Sequence, residues 1–157
     1  MNHFLNLHRL LMRCDALLHR YTSDVISFVL RGFIAWQFLK SALNKLRDWP
    51  STISLFQDEY HVPFLSPELA AYLGTGAELL FSILLILGLF SSLSALALLF
   101  VNLMAVVSYP ILWELECPAG LNDHFYWAVL LMLVIVFGAG KWSLDHWLRQ
   151  VNQGRDF

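Results

Sequence analysis

Apolar positions crowd this chain far beyond what one face of an amphipathic helix needs. From Leu79 to Trp113 no residue is charged. As a single helix that run would reach about 52 Å at 1.5 Å per residue, against a bilayer core of about 30 Å. It must therefore break, and Gly88-Leu89-Phe90-Ser91-Ser92 is where glycine and serine gather. The pattern predicts one span at about 68–90 and another at about 92–113. Pro67 falls near the first turn of the former and Pro110 near the close of the latter. Two further apolar stretches flank this pair. One covers 24–43, interrupted by Arg31, Gln37 and Lys40. The other covers 123–140, with Trp127 and Trp142 as interface anchors. A soluble bundle would show a polar face every 3.6 residues, and Leu93–Val107 shows almost none. The expected fold is an all-α membrane protein: a four-transmembrane-helix bundle preceded by an amphipathic helix.

Residues 1–23 are too often charged for a signal peptide, since Arg9, Arg13, Asp15 and Arg20 interrupt any apolar core. On a helical wheel Phe4, Leu7, Leu11 and Leu18 share one face and the three arginines another. That predicts a cytoplasmic amphipathic segment on the anionic leaflet. Residues 24–147 form the membrane domain and 148–157 a cytoplasmic tail. Ser51 is the expected cap of a short helix in the first loop, with Ile53, Phe56 and Tyr60 on one face. Four spans put both termini on one side. That side carries six Lys/Arg against two on the other, so the positive-inside rule places the termini in the cytoplasm.

Composition agrees with this picture. Of 157 residues, 58% are apolar and 14% charged, and mean hydropathy is +0.59. A net charge of −2 offers no surface for nucleic acid. Cys14 and Cys117 are expected on opposite sides of the membrane, so they form no disulfide within the chain. Cys117 remains free for a mixed disulfide with a partner. His61, Glu114, Glu116 and Cys117 have no tight ligand spacing, so no metal site is expected.

Polar groups within the spans cost energy and so carry information. Glu78 falls near the middle of the second span, on a face shared with Thr75 and Ser82. Asn102 lies about as far from the 88–92 turn on the third span, which predicts an Asn102–Glu78 hydrogen bond. Arg31 lies some 6–7 Å shallower by helical rise, within reach of Glu78 for its long side chain. Arg31, Glu78, Asn102, Thr75 and Ser82 thus form a candidate polar core. It serves either to hold the bundle in register or to bind a ligand or proton. Lys45, on the face of Arg31, and His124 are candidates at the outer boundary. No mid-span histidine pair could hold a haem, no C-x-x-C is present, and no nucleotide or metalloprotease motif occurs. A self-contained enzyme with an intrinsic cofactor is not expected.

Three stretches stand out together. The first is Arg31-Gly32-Phe33-Ile34-Ala35, with Phe38-Leu39-Lys40-Ser41 and Lys45. The second is Gly76-Ala77-Glu78-Leu79-Leu80, with Leu87-Gly88-Leu89-Phe90. The third is Phe137-Gly138-Ala139-Gly140, with Trp142-Ser143-Leu144-Asp145. Together these stretches resemble the DoxX family of small four-helix membrane proteins, although the glycine common there before the first-loop lysine is absent, Leu43-Asn44 standing in its place. The resemblance implies a bacterial inner-membrane protein. Some members are linked to thiosulfate:quinone oxidoreductases or to complexes handling oxidative and thiol stress. Others accompany operons for copper or modified-peptide handling. The reading that follows is a subunit or accessory of a membrane redox assembly. A protein partner is expected, and a quinone near Arg31, Glu78 and Asn102. The rivals are a proton-coupled carrier using Glu78 and a structural anchor for a soluble partner.

Overall fold

The computed structural model describes residues 2–114 and 119–154; up to residue 21, side chains are described at His8 and Met12 alone. The apolar face of the lead-in and its arginines therefore lie outside the described side chains, and Cys117, Glu116 and Arg155 outside the described residues.

All described elements are helices: α1 Asn2–Arg47, α2 Trp49–Asp58, α3 Pro67–Leu87, α4 Ser91–Ser108, α5 Ile111–Glu114, α6 Ala119–Phe137 and α7 Leu144–Gln153. Four of them carry stretches long and apolar enough to cross a bilayer, namely Thr22–Arg47, Pro67–Leu87, Ser91–Ser108 and Ala119–Phe137. The protein is thus a multi-pass membrane protein built as an all-α bundle. α1 packs on α3, α3 on α4, α4 on α6, and α6 returns to α1, closing a ring of four.

The expected spans are found with shifted limits, and local chemistry explains the shifts. No proline precedes Pro50, so the lead-in and the first span form one continuous helix of 46 residues ending at Arg47, not at 43. α3 stops at Leu87 because Gly88 adopts a left-handed φ of +71°. Gly88 N–H then bonds Leu85 O and Leu89 N–H bonds Leu84 O, the closure of a Schellman motif. α4 stops at Ser108, two residues before Pro110. The residue before a proline avoids helical geometry, and Tyr109 sits at φ −114°, ψ +87°. α6 starts at Ala119 and ends at Phe137, where Gly138 takes φ +75°.

The core runs through the middle of the ring. Ile34, Ala35 and Phe38 of α1 meet Leu85, Ala95, Leu98, Leu131 and Val134. Small residues line the contacts, with Ala35, Ala42, Ala71, Ser82, Ser94 and Ala95 all buried. That is how membrane helices approach closely where lipid gives no hydrophobic drive. A second cluster joins α2 to α3. Phe56 packs on Ala70 and Ala71, with Trp49, Ile53, Tyr60 and Val62 around them. α2 is therefore docked on the bundle by the face the sequence predicted. Its cap is Asp48 instead of Ser51: the Asp48 carboxylate accepts from Ser51 N–H at 3.2 Å and Ser51 Oγ–H at 2.7 Å. Those bonds hold the exposed Asp48 carboxyl below its usual range, the Ser51 hydroxyl contributing most.

Candidate functional site

The polar groups of the bundle separate into two sites toward its opposite ends. Arg31 and Lys45 are 14 positions apart on α1. Helical rise puts them about 21 Å apart along the axis. Each is the anchor of one end.

At the end where α3 turns into α4, Arg31 is almost fully buried, at 1% exposure. Its guanidinium donates to the backbone carbonyls of Ala139 and Trp142, the latter at 2.7 Å. These carbonyls lie in the chain that leaves α6. Gly138 and Gly140 both have left-handed φ, +75° and +69°, and bend that chain back over the bundle. Ser143 caps α7, its Oγ accepting from His146 N–H at 3.2 Å. Asp145 N–H bonds Gly88 O at 2.9 Å. The Asp145 carboxylate takes Phe90 N–H and Ser91 N–H, both at 2.9 Å, as an acidic cap on the N-terminus of α4. A Cβ at Gly88 would lie 2.6 Å from Ser143 Cβ and 3.0 Å from Arg31 Cζ. Lys141 adds an ion pair to Asp24 at 2.8 Å. Gly138, Gly140, Ser143 and Asp145 therefore tie the end of α6 to the α3–α4 turn.

This corrects the expected Arg31–Glu78 contact. α1 and α3 are antiparallel, and the first turns of α3 overhang α1 to receive α2. Glu78 consequently comes within reach of Lys45, and Gly88 lies against the Arg31 side chain. Lys45 Nζ reaches both carboxylate oxygens of Glu78, at 2.7 and 2.8 Å. The two side chains are 17% and 8% exposed.

The predicted Asn102–Glu78 hydrogen bond is also absent. Asn102 is taken by α6: Nδ2 donates to the His124 carbonyl at 2.9 Å, and Oδ1 lies 2.7 Å from His124 Nδ1. The equal-depth argument for Glu78 and Asn102 still placed them around one cavity. Thr75 and Ser82 are buried on the same face of α3, but neither lines it. Ser82 donates to Leu79 O in its own helix at 3.0 Å, and Thr75 Oγ1 has no partner among the described residues.

The cavity has a volume of 710 Å³, within the usual range of about 300–1,000 Å³ for small-molecule sites. Lys45, Glu78, Asn102 and His124 are its polar lining, with Gln37 and Ser41. Its walls are otherwise mostly apolar, from Phe38, Phe100, Met104 and Trp127 among others. Leu73 of α3, Phe100 of α4 and Phe64 of the loop preceding α3 line it and are also exposed, so it opens onto the protein surface. The loop after α2 covers the other side. Tyr60 stacks between Phe56 at 4.8 Å and Tyr109 at 4.6 Å. Tyr109 OH donates to Glu59 at 2.8 Å, and His61 N–H bonds Ser108 O at 2.7 Å. Burial pushes the Tyr60 phenol up to about 12, with Tyr109 and the Glu78 and Glu59 carboxylates adding to it. It stays neutral.

Sequence reasoning assigned Tyr60 to the α2 face but missed its place in the cavity roof. It quoted Asp145 only as part of a resemblance and gave it no role, and it missed the Arg31 carbonyl partners. The signal for the latter was available: two glycines, then a serine two residues before an acid, is a chain reversal followed by a helix cap. Among the described residues no cluster of metal-ligating side chains occurs.

A family model described as DoxX matches residues 26–110. The chain is also similar to an uncharacterized protein of Haemophilus influenzae, 34% identical over 136 residues, covering 82% of this chain and 87% of that one. No solved structure matches.

Proposed function

The chain belongs to the DoxX family, and from that premise we propose that it binds a quinone-class amphiphile in the α2-end cavity as a membrane subunit of a redox assembly. The observation that carries this reading is the cavity itself. A lysine–glutamate pair and an asparagine–histidine pair project into apolar walls, with an opening onto the protein surface. A quinone has that shape of demand: a polar head needing a few fixed donors and acceptors, and a tail that stays in hydrocarbon. Arg31 takes no part, since backbone carbonyls occupy it at the other end.

The membrane in this reading is the bacterial inner membrane. The excess of Lys/Arg on the side of the termini supports cytoplasmic termini and an outward-facing α2. A reporter fused to the C-terminus and found active outside would reverse the assignment. The bundle supplies ligand binding, and a partner's cofactor supplies electron transfer.

The test is purification of the intact protein in mild detergent, with extraction of bound lipid and identification of co-purifying chains. Wild type is expected to retain quinone and a reducible partner. The double variant Lys45→Met/Glu78→Met is expected to retain the partner and lose the quinone. Equal quinone in both preparations would sink the assignment of the cavity. Solute uptake into vesicles that requires Glu78 would favour the carrier reading instead. The engagement of both Glu78 oxygens by Lys45 counts against that reading.

A further inference from the structure

The Asn102–His124 pair fixes which ring nitrogen of the histidine faces the ligand as a bare lone pair. Asn102 is buried, and its amide group donates to the His124 backbone carbonyl. That leaves Oδ1, which only accepts, 2.7 Å from His124 Nδ1. The contact is a hydrogen bond only when Nδ1 carries the proton. A neutral imidazole has one N–H, so Nε2 is then an unprotonated acceptor. No described residue donates to Nε2, and the ring lines the cavity with Trp127 edge-on at 4.9 Å to hold its plane.

Glu78 is charge-paired, both of its oxygens accepting from Lys45, whereas the Nε2 lone pair has no donor among the described residues. An apolar cavity with an open imidazole lone pair rewards a ligand that brings a donor. Resting on the reading above that the cavity holds an amphipathic ligand, we propose that it selects a hydroxyl-bearing head, donated to Nε2 of His124. For a quinone-class molecule this is the reduced hydroquinone in preference to the quinone. His124 is the specificity-determining residue and Asn102 a positioning residue that sets its tautomer.

The experiment uses the full chain in phosphatidylcholine nanodiscs. The probes are a short-tailed hydroquinone and the quinone with the same tail, whose head only accepts. One neutral hydrogen bond to an otherwise unpaired acceptor should make hydroquinone binding about ten-fold tighter in the wild type. Asn102→Leu frees the ring to take either tautomer and should bring the two probes within about two-fold. A histidine-selective ¹⁵N spectrum of the wild-type protein at neutral pH should show a protonated Nδ1 and a bare Nε2 for His124.

A protonated Nε2 overturns the proposal whatever the binding data say. So does a preference that survives Asn102→Leu. Equal wild-type affinity for both probes leaves the cavity reading standing and removes this one. Binding of neither probe removes both.

Discussion

Arg31 and Lys45 occupy the same face of one helix, and their surroundings differ in kind. Arg31 is bonded to two backbone carbonyls of a chain reversal. Lys45 is bonded to a side chain, Glu78, beside a cavity. The Arg31 end is packed: its guanidinium takes two carbonyls, the Asp145 carboxylate takes the first N–H groups of α4, only Arg31 Nε and Ser91 Oγ there lack a partner among the described residues, and a glycine is needed where the segments converge. The Lys45 end is not filled. Several polar side chains meet space there, and an imidazole nitrogen has no partner among the described residues. A bundle needs the first arrangement to close. The second costs packing, so it is where a ligand belongs.

Substitutions at the two ends should expose that difference. The largest effect is expected from Gly88→Val, which forces a side chain into left-handed backbone and into contact with Ser143 and Arg31. A loss of about 3 kcal/mol or more is expected in thermal unfolding in detergent. Wild-type stability would break the picture of a filled end. Next is Lys45→Met, which strands a mostly buried carboxylate at a cost of about 3 kcal/mol. Adding Glu78→Met should recover most of that, since an apolar pair can replace an ionic one. Arg31→Met should cost about 2–3 kcal/mol through its two stranded carbonyls. No single neighbouring side-chain change should recover it, because its partners are backbone. If Glu78→Met rescued Arg31→Met as well, the two ends would not be independent.

Asp145→Ala is expected to cost about 1–2 kcal/mol by uncapping α4, with no change in ligand retention. Ligand loss in that variant would join the two ends functionally. The smallest effect is at Asp48. Its carboxyl is held low by the Ser51 bonds, so its contribution is complete above the unfolded-state value of about 3.9. It fades as pH falls through the lower folded value. The protection of first-turn α2 amides, taken relative to the intrinsic exchange rate at each pH, should therefore fall as the pH is taken below about 4, while the protection of α4 amides is unchanged.

Much of this was legible in the chain. The uncharged run from Leu79 to Trp113 required a break, and the break is at Gly88. Pro67 stands in the first turn of α3 as expected, and the structure adds Ser66 as its cap. The face of α1 bearing both Arg31 and Lys45 was visible by helical spacing. Pairing was not. Depth along a span was judged from assumed boundaries, and the overhang of α3 for α2 displaces Glu78 toward Lys45. Asn102 had two neighbouring helices to choose from, and spacing along α4 cannot say which.

Hydropathy, turn residues and caps act over a few neighbours, so the primary structure alone determined four crossings, their breaks and which residues face inward. The partners of Arg31, Glu78 and Asn102 depend on the axial offset between helices far apart in the chain. That offset is set by packing: Ala and Ser at the contacts, α2 seated on α3, and Asp145 latched to Ser91. Only the assembled bundle decided that one cation closes the structure while the other opens onto a cavity.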